Sequence, residues 1–228
     1  MVKVLEGKLS KITKFSPTVK FFEFDLGEVF DFLPGQFVMV EKDGVKRAYS
    51  LASQPGKKTI ELCVTIVSGG KLTTKLDDMP LGGKVKVTGP YSMYGRDILK
   101  MDNDVIFIAT GSGVTPMRCL LNYLLNNNFK HKITLIFGFR YEEDFLFKAE
   151  FKQLAEKHDN FDLVITASQP KELKTWGKSV GRVTKIIDQY VDDKSDYFIC
   201  GLNNMVSDVK RILVEKGVEK ERIHAESW

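Results

Sequence analysis

Residues 46–53 read KRAYSLAS and set a guanidinium at Arg47, a phenol at Tyr49 and a hydroxyl at Ser50. A planar guanidinium matches phosphate oxygens as a two-pronged fork, and a tyrosine offers a flat apolar face with a polar tip. Just upstream, Asp43-Gly44 separates two apolar-rich runs, a strong short-range hairpin signal. A strand leaving such a turn alternates its faces, so Arg47 and Tyr49 share one side. Strict alternation turns Ser50 away from Tyr49. An ordinary amphipathic strand, with its arginine solvated and its tyrosine half-packed, accounts for this segment equally well when it is taken alone.

Two glycine turns add to it. In ATGSGVTPM, residues 109–117, Gly111 and Gly113 follow an apolar run and precede a helical pattern. Glycines there permit a tight turn and close approach of backbone to a phosphate, and the helix start beyond offers unpaired N–H groups to an anion. Pro116 stands where the usual dinucleotide pattern has its third glycine; its missing N–H costs nothing in a first helical turn. In SGGKLTTKL, residues 68–76, a second glycine turn leads into a short helical pattern. Thr73 or Thr74 can cap that helix, or the turn can hold a diphosphate.

The elements that must position these residues follow two grammars. VLEGKLSKITKFS, TVKFFEFDLG, GQFVMVEK, KRAYSLAS, TIELCVTIV and KVKVTGPY are β-rich runs separated by turns such as Pro34-Gly35 and Gly82-Gly83. About six antiparallel strands of this size suggest a small closed barrel. From about residue 104, apolar strands such as DVIFIATG and HKITLIFGF alternate with helical stretches such as TPMRCLLNYLLNN, EDFLFKAEFKQLAEKH, GRVTKIIDQYV and NNMVSDVKRILVEKG. Such alternation implies a parallel, doubly wound α/β sheet. A two-domain chain results, with a β-barrel over 1–98, an α/β domain over 99–228 and a junction in GRDILKMDND.

Composition narrows the class. The 228 residues are 43% hydrophobic and 28% charged, enough for a real core. No apolar run approaches the length of a membrane span and no signal-peptide pattern opens the chain, so a cytoplasmic protein is expected. Cys63, Cys119 and Cys200 are far apart and odd in number, and His131, His158 and His224 are isolated, so no metal site is expected. Residues 1–98 hold 15 basic and 11 acidic side chains against 19 and 19 in residues 99–228. That surplus suits an acidic partner and is too weak for nucleic acid.

Together these motifs resemble the ferredoxin–NADP reductase-like flavoprotein family, over essentially the whole chain. The resemblance implies a flavin-binding antiparallel barrel followed by a nicotinamide-binding α/β domain. The family's Arg-x-Tyr-Ser/Thr signature is similar to Arg47-Ala48-Tyr49-Ser50. It implies Arg47 on the flavin diphosphate, Tyr49 on the isoalloxazine and Ser50 near flavin N5. Gly70-Lys71-Leu72-Thr73 resembles the family's diphosphate turn and favours FAD over FMN. The nucleotide side is implied at Thr110, Gly111, Gly113, Thr115 and Pro116, with Arg140 at a following strand end. Cys200-Gly201-Leu202 resembles the family's Cys-Gly-Pro with the proline replaced. Glu226 and the terminal Trp228 match a closing Glu and a flavin-covering aromatic.

The implied function is transfer from NADH or NADPH to bound FAD and onward to a separate small acidic carrier such as ferredoxin or flavodoxin. Ser50, Cys200 and Glu226 are the implied residues around the reacting atoms. The length leaves no room for a fused iron–sulfur domain, so the acceptor is expected in trans. A free-flavin reductase and a non-enzymatic nucleotide-binding subunit remain alternatives. NADH is expected over NADPH, because Ser168 is followed by Gln169 where NADPH-specific relatives carry an arginine; Arg140, Lys171 and Lys174 are the cations in reach.

Overall fold

The computed structural model describes residues 1–92, 98–171 and 178–227. The chain forms two compact units, residues 1–99 with 118–123, and residues 100–117 with 124–228. The expected junction GRDILKMDND begins outside the described residues.

The first unit is a six-stranded antiparallel sheet. Its strands are β1 (Lys3–Lys14), β2 (Val19–Phe30), β3 (Phe37–Lys42), β4 (Val45–Ser50), β5 (Lys57–Thr65) and β6 (Lys84–Tyr91), in the order β4-β3-β6-β1-β2-β5. Alternation supplies the core: Phe22 and Phe24 on β2, Val38 and Val40 on β3, and Ile60, Leu62 and Val64 on β5 all point inward. Asp43 and Gly44 both take positive φ, 47° and 75°, and form the tight turn expected between β3 and β4. The sheet closes on itself beyond β4. There Leu51 bridges to Leu62, and the Ala52 N–H donates to the Glu61 carbonyl at 2.9 Å. A short helix, α1 (Thr73–Asp77), interrupts the strands and buries Leu76 in the barrel core.

The second unit is a six-stranded parallel sheet of β7 (Val105–Thr110), β8 (Ile133–Phe139), β9 (Phe161–Ala167), β10 (Ser179–Val180), β11 (Asp196–Gly201) and β12 (Ile223–Ser227), ordered β10-β9-β8-β7-β11-β12. Residues of β8 and β11 are buried along their whole length, as a sheet covered on both faces requires. The helices are α2 (Val114–Asn126), whose residues 118–123 belong to the first unit, α3 (Lys148–Lys157) and α4 (Asn203–Glu215). On α4, Val206, Val209 and Leu213 form the inward stripe of a 3.6-residue period.

Local readings differ from the structure in two places. The helical run expected from Glu143 begins only at Lys148; Phe147, with φ 56°, turns the chain in a left-handed conformation, and Phe145, Leu146 and Phe147 are buried before the helix starts. The stretch GRVTKIIDQYV forms two 3-10 turns, Val183–Lys185 and Ile187–Gln189, and no α-helix. Its β-branched residues Val183, Ile186 and Ile187 serve as core.

Candidate functional site

In the first unit the candidate residues gather at the end of β4, an edge strand of the sheet. Arg47 is exposed, and its Nη1 donates to the Lys46 carbonyl at 2.7 Å, which leaves the rest of its fork facing solvent. Tyr49 packs half-buried against the barrel core, and that burial pushes its hydroxyl up to about 12. The phenol is therefore neutral at physiological pH and presents a flat face. Strand β4 ends at Ser50, and the next residue, Leu51, bridges to Leu62 on β5. Ser50 stands opposite Phe37 in the ladder, and Phe37 in turn stacks on Tyr91 with ring centroids 5.4 Å apart.

The turn before α1 is tight. A Cβ on Gly70 would lie 2.3 Å from Thr73 Oγ1 and 2.9 Å from the Val67 carbonyl, so only glycine fits. Neither threonine caps the helix: the N-cap is Leu72, with no side-chain cap bond. Thr73 Oγ1 instead accepts from the Val67 N–H at 3.2 Å, and Thr74 Oγ1 donates to the Gly70 carbonyl. Leu72 is buried in the core, while Lys71 is exposed. A tight glycine turn beside an exposed ammonium is suited to phosphate oxygens.

In the second unit the candidates lie where strand order reverses. Strands β8, β9 and β10 run to one side of β7, and β11 and β12 to the other. Ligands of doubly wound sheets bind outside the carboxyl ends of the strands at such a switch point. Here those ends are Thr110-Gly111 and Cys200-Gly201. Gly111 takes φ 54° in a 3-10 turn, Gly111–Gly113, and α2 follows with Pro116 in its first turn. A Cβ on Gly201 would meet Thr110 Oγ1 at 2.3 Å and Met205 at 2.4 Å, so glycine lets the two strand ends close together. Leu202, where the family's proline would stand, holds φ −59° and ψ 141°, a backbone that a proline could also adopt.

Two hydroxyls at this turn, Thr110 Oγ1 and Thr115 Oγ1, are buried without a hydrogen-bond partner. Unsatisfied buried polar groups are uncommon and costly. At the start of a helix they are what a ligand's phosphate or amide would complete. Register then brings Glu226 opposite Cys200, and the Cys200 thiol donates to Glu226 Oε2 at 3.9 Å. Burial pushes the Glu226 carboxyl up to about 7, and the bond from Cys200 pulls it partway back.

Arg140 follows β8 and is exposed, with no hydrogen bond or ion pair to its guanidinium among the described residues. Its carbonyl accepts from the Gln169 N–H at 2.8 Å, so Gln169 does sit beside it. Lys171 is occupied elsewhere, pairing with Glu143 at 2.6 Å. Lys174 and Trp228 lie outside the described residues. Sequence reading missed Arg182: the two-residue strand β10 pairs Val180 with Ala167 and thereby carries exposed Arg182 to the same end of the sheet. Two residues give no readable strand pattern.

Comparison with known proteins agrees with this geometry. Residues 6–94 match the family profile described as an oxidoreductase FAD-binding domain, and residues 107–211 match the oxidoreductase NAD-binding domain. The chain is 32% identical to ferredoxin–NADP reductase B of Sorangium cellulosum, across 98% of this chain and 97% of that one. It is 31% identical to the reductase component of phenol 2-monooxygenase from a Pseudomonas strain, across 88% of this chain but 58% of that longer protein. Its fold matches the crystal structure of a ferredoxin NADP+ reductase from Neisseria gonorrhoeae with bound FAD and NADP, at a TM-score of 0.88 and 20% identity, covering 99% and 98% of the two chains. Among the described residues no helix is long and apolar enough to cross a membrane, and no cluster of three or more His, Cys, Asp or Glu side chains forms a metal site.

Proposed function

The chain belongs to the ferredoxin–NADP reductase-like family of FAD- and nicotinamide-binding oxidoreductases, and on that premise we propose that it passes electrons from NAD(P)H through FAD to a separate, small acidic carrier protein in the cytoplasm, such as a ferredoxin or flavodoxin. The supporting observation is the near end-to-end likeness to a ferredoxin–NADP reductase. The basic surplus of residues 1–98, 15 against 11, would steer an acidic carrier.

Bound FAD supplies the redox chemistry, taking two electrons from the nicotinamide and releasing them singly or in pairs. The chain supplies binding and orientation. Arg47 and the Gly70–Thr73 turn would hold the FAD diphosphate, which is the reason for FAD in place of FMN. Tyr49 lies against the flavin ring, and Ser50, at the end of β4, hydrogen-bonds near N5. Thr110, Gly111, Gly113, Thr115 and Pro116 form the turn for the nicotinamide nucleotide's diphosphate. Cys200, Gly201 and Glu226 would border the nicotinamide; Trp228, outside the described residues, is assigned to the flavin by the resemblance alone.

The test is the visible spectrum of the purified protein during anaerobic titration with NADH and NADPH, followed by mixing with an oxidised flavodoxin or [2Fe–2S] ferredoxin. The expected result is one FAD per chain, bleached by nucleotide and reoxidised by the carrier in a salt-sensitive step. A flavin that reduces but never passes electrons to either carrier overturns the carrier assignment. Arg47→Ala is expected to weaken FAD retention through loss of a charge-assisted contact.

A further inference from the structure

A structural seam closes the barrel immediately after Ser50, and one arginine side chain spans it. Up to Ser50, β4 is held on one side only, by β3. Leu51 then donates its N–H to the Gln36 carbonyl at 3.1 Å and bridges to Leu62 on β5. Ala52 is fully buried, and its N–H reaches the Glu61 carbonyl. The Ala52 carbonyl accepts from Arg118 Nη1 at 2.8 Å. That same nitrogen lies 2.9 Å from Glu61 Oε2, and the guanidinium carbon sits 5.6 Å from the Phe21 ring centre.

Arg118 belongs to the first unit, together with the rest of residues 118–123. Its neighbour reinforces the seam: the Cys119 thiol donates to the Ser53 carbonyl at 3.1 Å, and Gln54 Nε2 donates to the Cys119 carbonyl at 3.1 Å. On β5, the Glu61 N–H donates to Ser53 Oγ at 3.3 Å. The side chains of Arg118 and Glu61 are only 18% and 22% exposed, so their contact is poorly screened by water. Every backbone group of Ala52 is therefore tied to β5 or to Arg118, two residues beyond the hydroxyl of Ser50.

We propose that Arg118 is a positioning residue for the flavin site, acting through the seam at Ala52 and Glu61 to hold the end of β4, and with it Tyr49 and Ser50, in register. This rests on the assignment of Tyr49 and Ser50 to the flavin. The end of an edge strand is a low-stability element, and it keeps one geometry only where outside contacts impose it. Removal of the guanidinium leaves a buried carbonyl without its donor and a half-buried carboxylate without its counter-charge. The seam then relaxes, and Ser50 moves with it. The proposed flavin and nucleotide contacts do not include Arg118, Glu61 or Ala52, so affinity for either should change less than rate.

The experiment is stopped-flow reduction of FAD-loaded Arg118→Ala, Arg118→Lys and Glu61→Gln, each compared with wild type at a series of NADH and NADPH concentrations. Flavin content, absorption spectrum and Tm are measured alongside. In Arg118→Ala, flavin reduction at saturating nucleotide should slow by about tenfold or more, since small misplacements of reacting groups cost rate steeply. The half-saturating concentration should change by less than about twofold, and the flavin band should shift. Arg118→Lys, which keeps the charge and loses the fork, should recover part of the rate. Rates per bound flavin within about twofold of wild type in the folded variants overturn the proposal, whatever happens to Tm. If Arg118→Ala does not fold, Arg118→Lys and Glu61→Gln decide by the same criterion. A wild-type flavin that neither nucleotide reduces overturns the functional reading itself, and that result is visible before any variant is compared.

Discussion

The Cys200 thiol donates to Glu226 at 3.9 Å because β11 and β12 run parallel in a register that sets residue 200 opposite residue 226. The carboxyl is half-buried at the carboxyl end of the sheet, beside the loop that also carries Gly201. Its ionisation lies near 7, driven by burial, against an ordinary value of 4.5.

From this follows a pH dependence with a definite sign. Donation from NAD(P)H leaves positive charge on the nicotinamide ring, and an ionised Glu226 at the proposed position would stabilise that charge. Flavin reduction at saturating nucleotide should therefore rise as pH passes through about 7, where Glu226 ionises. In Glu226→Gln the rate should stay flat at the low-pH level. Stability should move the opposite way. The folded value lies above the unfolded one, so wild type loses stability as pH rises from about 4.5 to about 7. Glu226→Gln should escape that loss, gaining on wild type in Tm at pH 8 and not at pH 4. Parallel Tm and rate profiles across pH check both.

Ser50→Ala should slow flavin reduction at saturating nucleotide while FAD stays bound. The hydroxyl sits at the very end of β4, where the ladder to β3 is carried by backbone groups, and an interaction made mainly at the transition state lowers rate more than affinity. Stopped-flow reduction beside a measured flavin content tests it; unchanged reduction removes Ser50 from the reacting site.

Thr115→Val should stabilise the nucleotide-free protein and weaken nucleotide binding. The hydroxyl is buried with no partner, so the isosteric methyl removes an unsatisfied group, worth about 1 kcal/mol. Thermal unfolding without nucleotide should show a higher Tm, while titration with the oxidised nucleotide should show a larger Kd. A change in neither would mean that the hydroxyl is irrelevant to the turn.

Arg140→Ala should lower kcat/KM for NADPH and leave NADH nearly unaltered. The 2′-phosphate needs a cation, and among the described residues Arg140 has no ion-pair partner while Lys171 is held by Glu143. The ratio of kcat/KM for the two nucleotides also decides which one wild type prefers. If the variant loses both equally, Arg140 contributes to general binding and not to the choice.

What could be read from the chain was local. Asp43-Gly44 predicts its hairpin because both residues must accept positive φ within one turn. Gly111, Gly113 and Pro116 predict a strand-turn-helix because each constraint falls within six residues. The switch to α/β grammar predicts the parallel sheet, since buried strands and amphipathic helices have different periods.

Tertiary structure decided the relationships between distant segments. The bond from Cys200 to Glu226 depends on a parallel register that no pattern in either strand specifies. Arg182 reaches the nucleotide end of the sheet through a strand of two residues. Lys171 and Arg140 look alike as charges, and only packing shows that Glu143 occupies one of them. The same holds for Thr110 and Thr115: a hydroxyl is recognised as unpartnered only when everything around it has been placed. Arg118 reads as one more helix-surface cation until the barrel closes at Ala52 and Glu61. Short-range φ preferences and periodicity act between neighbours in sequence, whereas hydrogen-bond completion and burial act between neighbours in space.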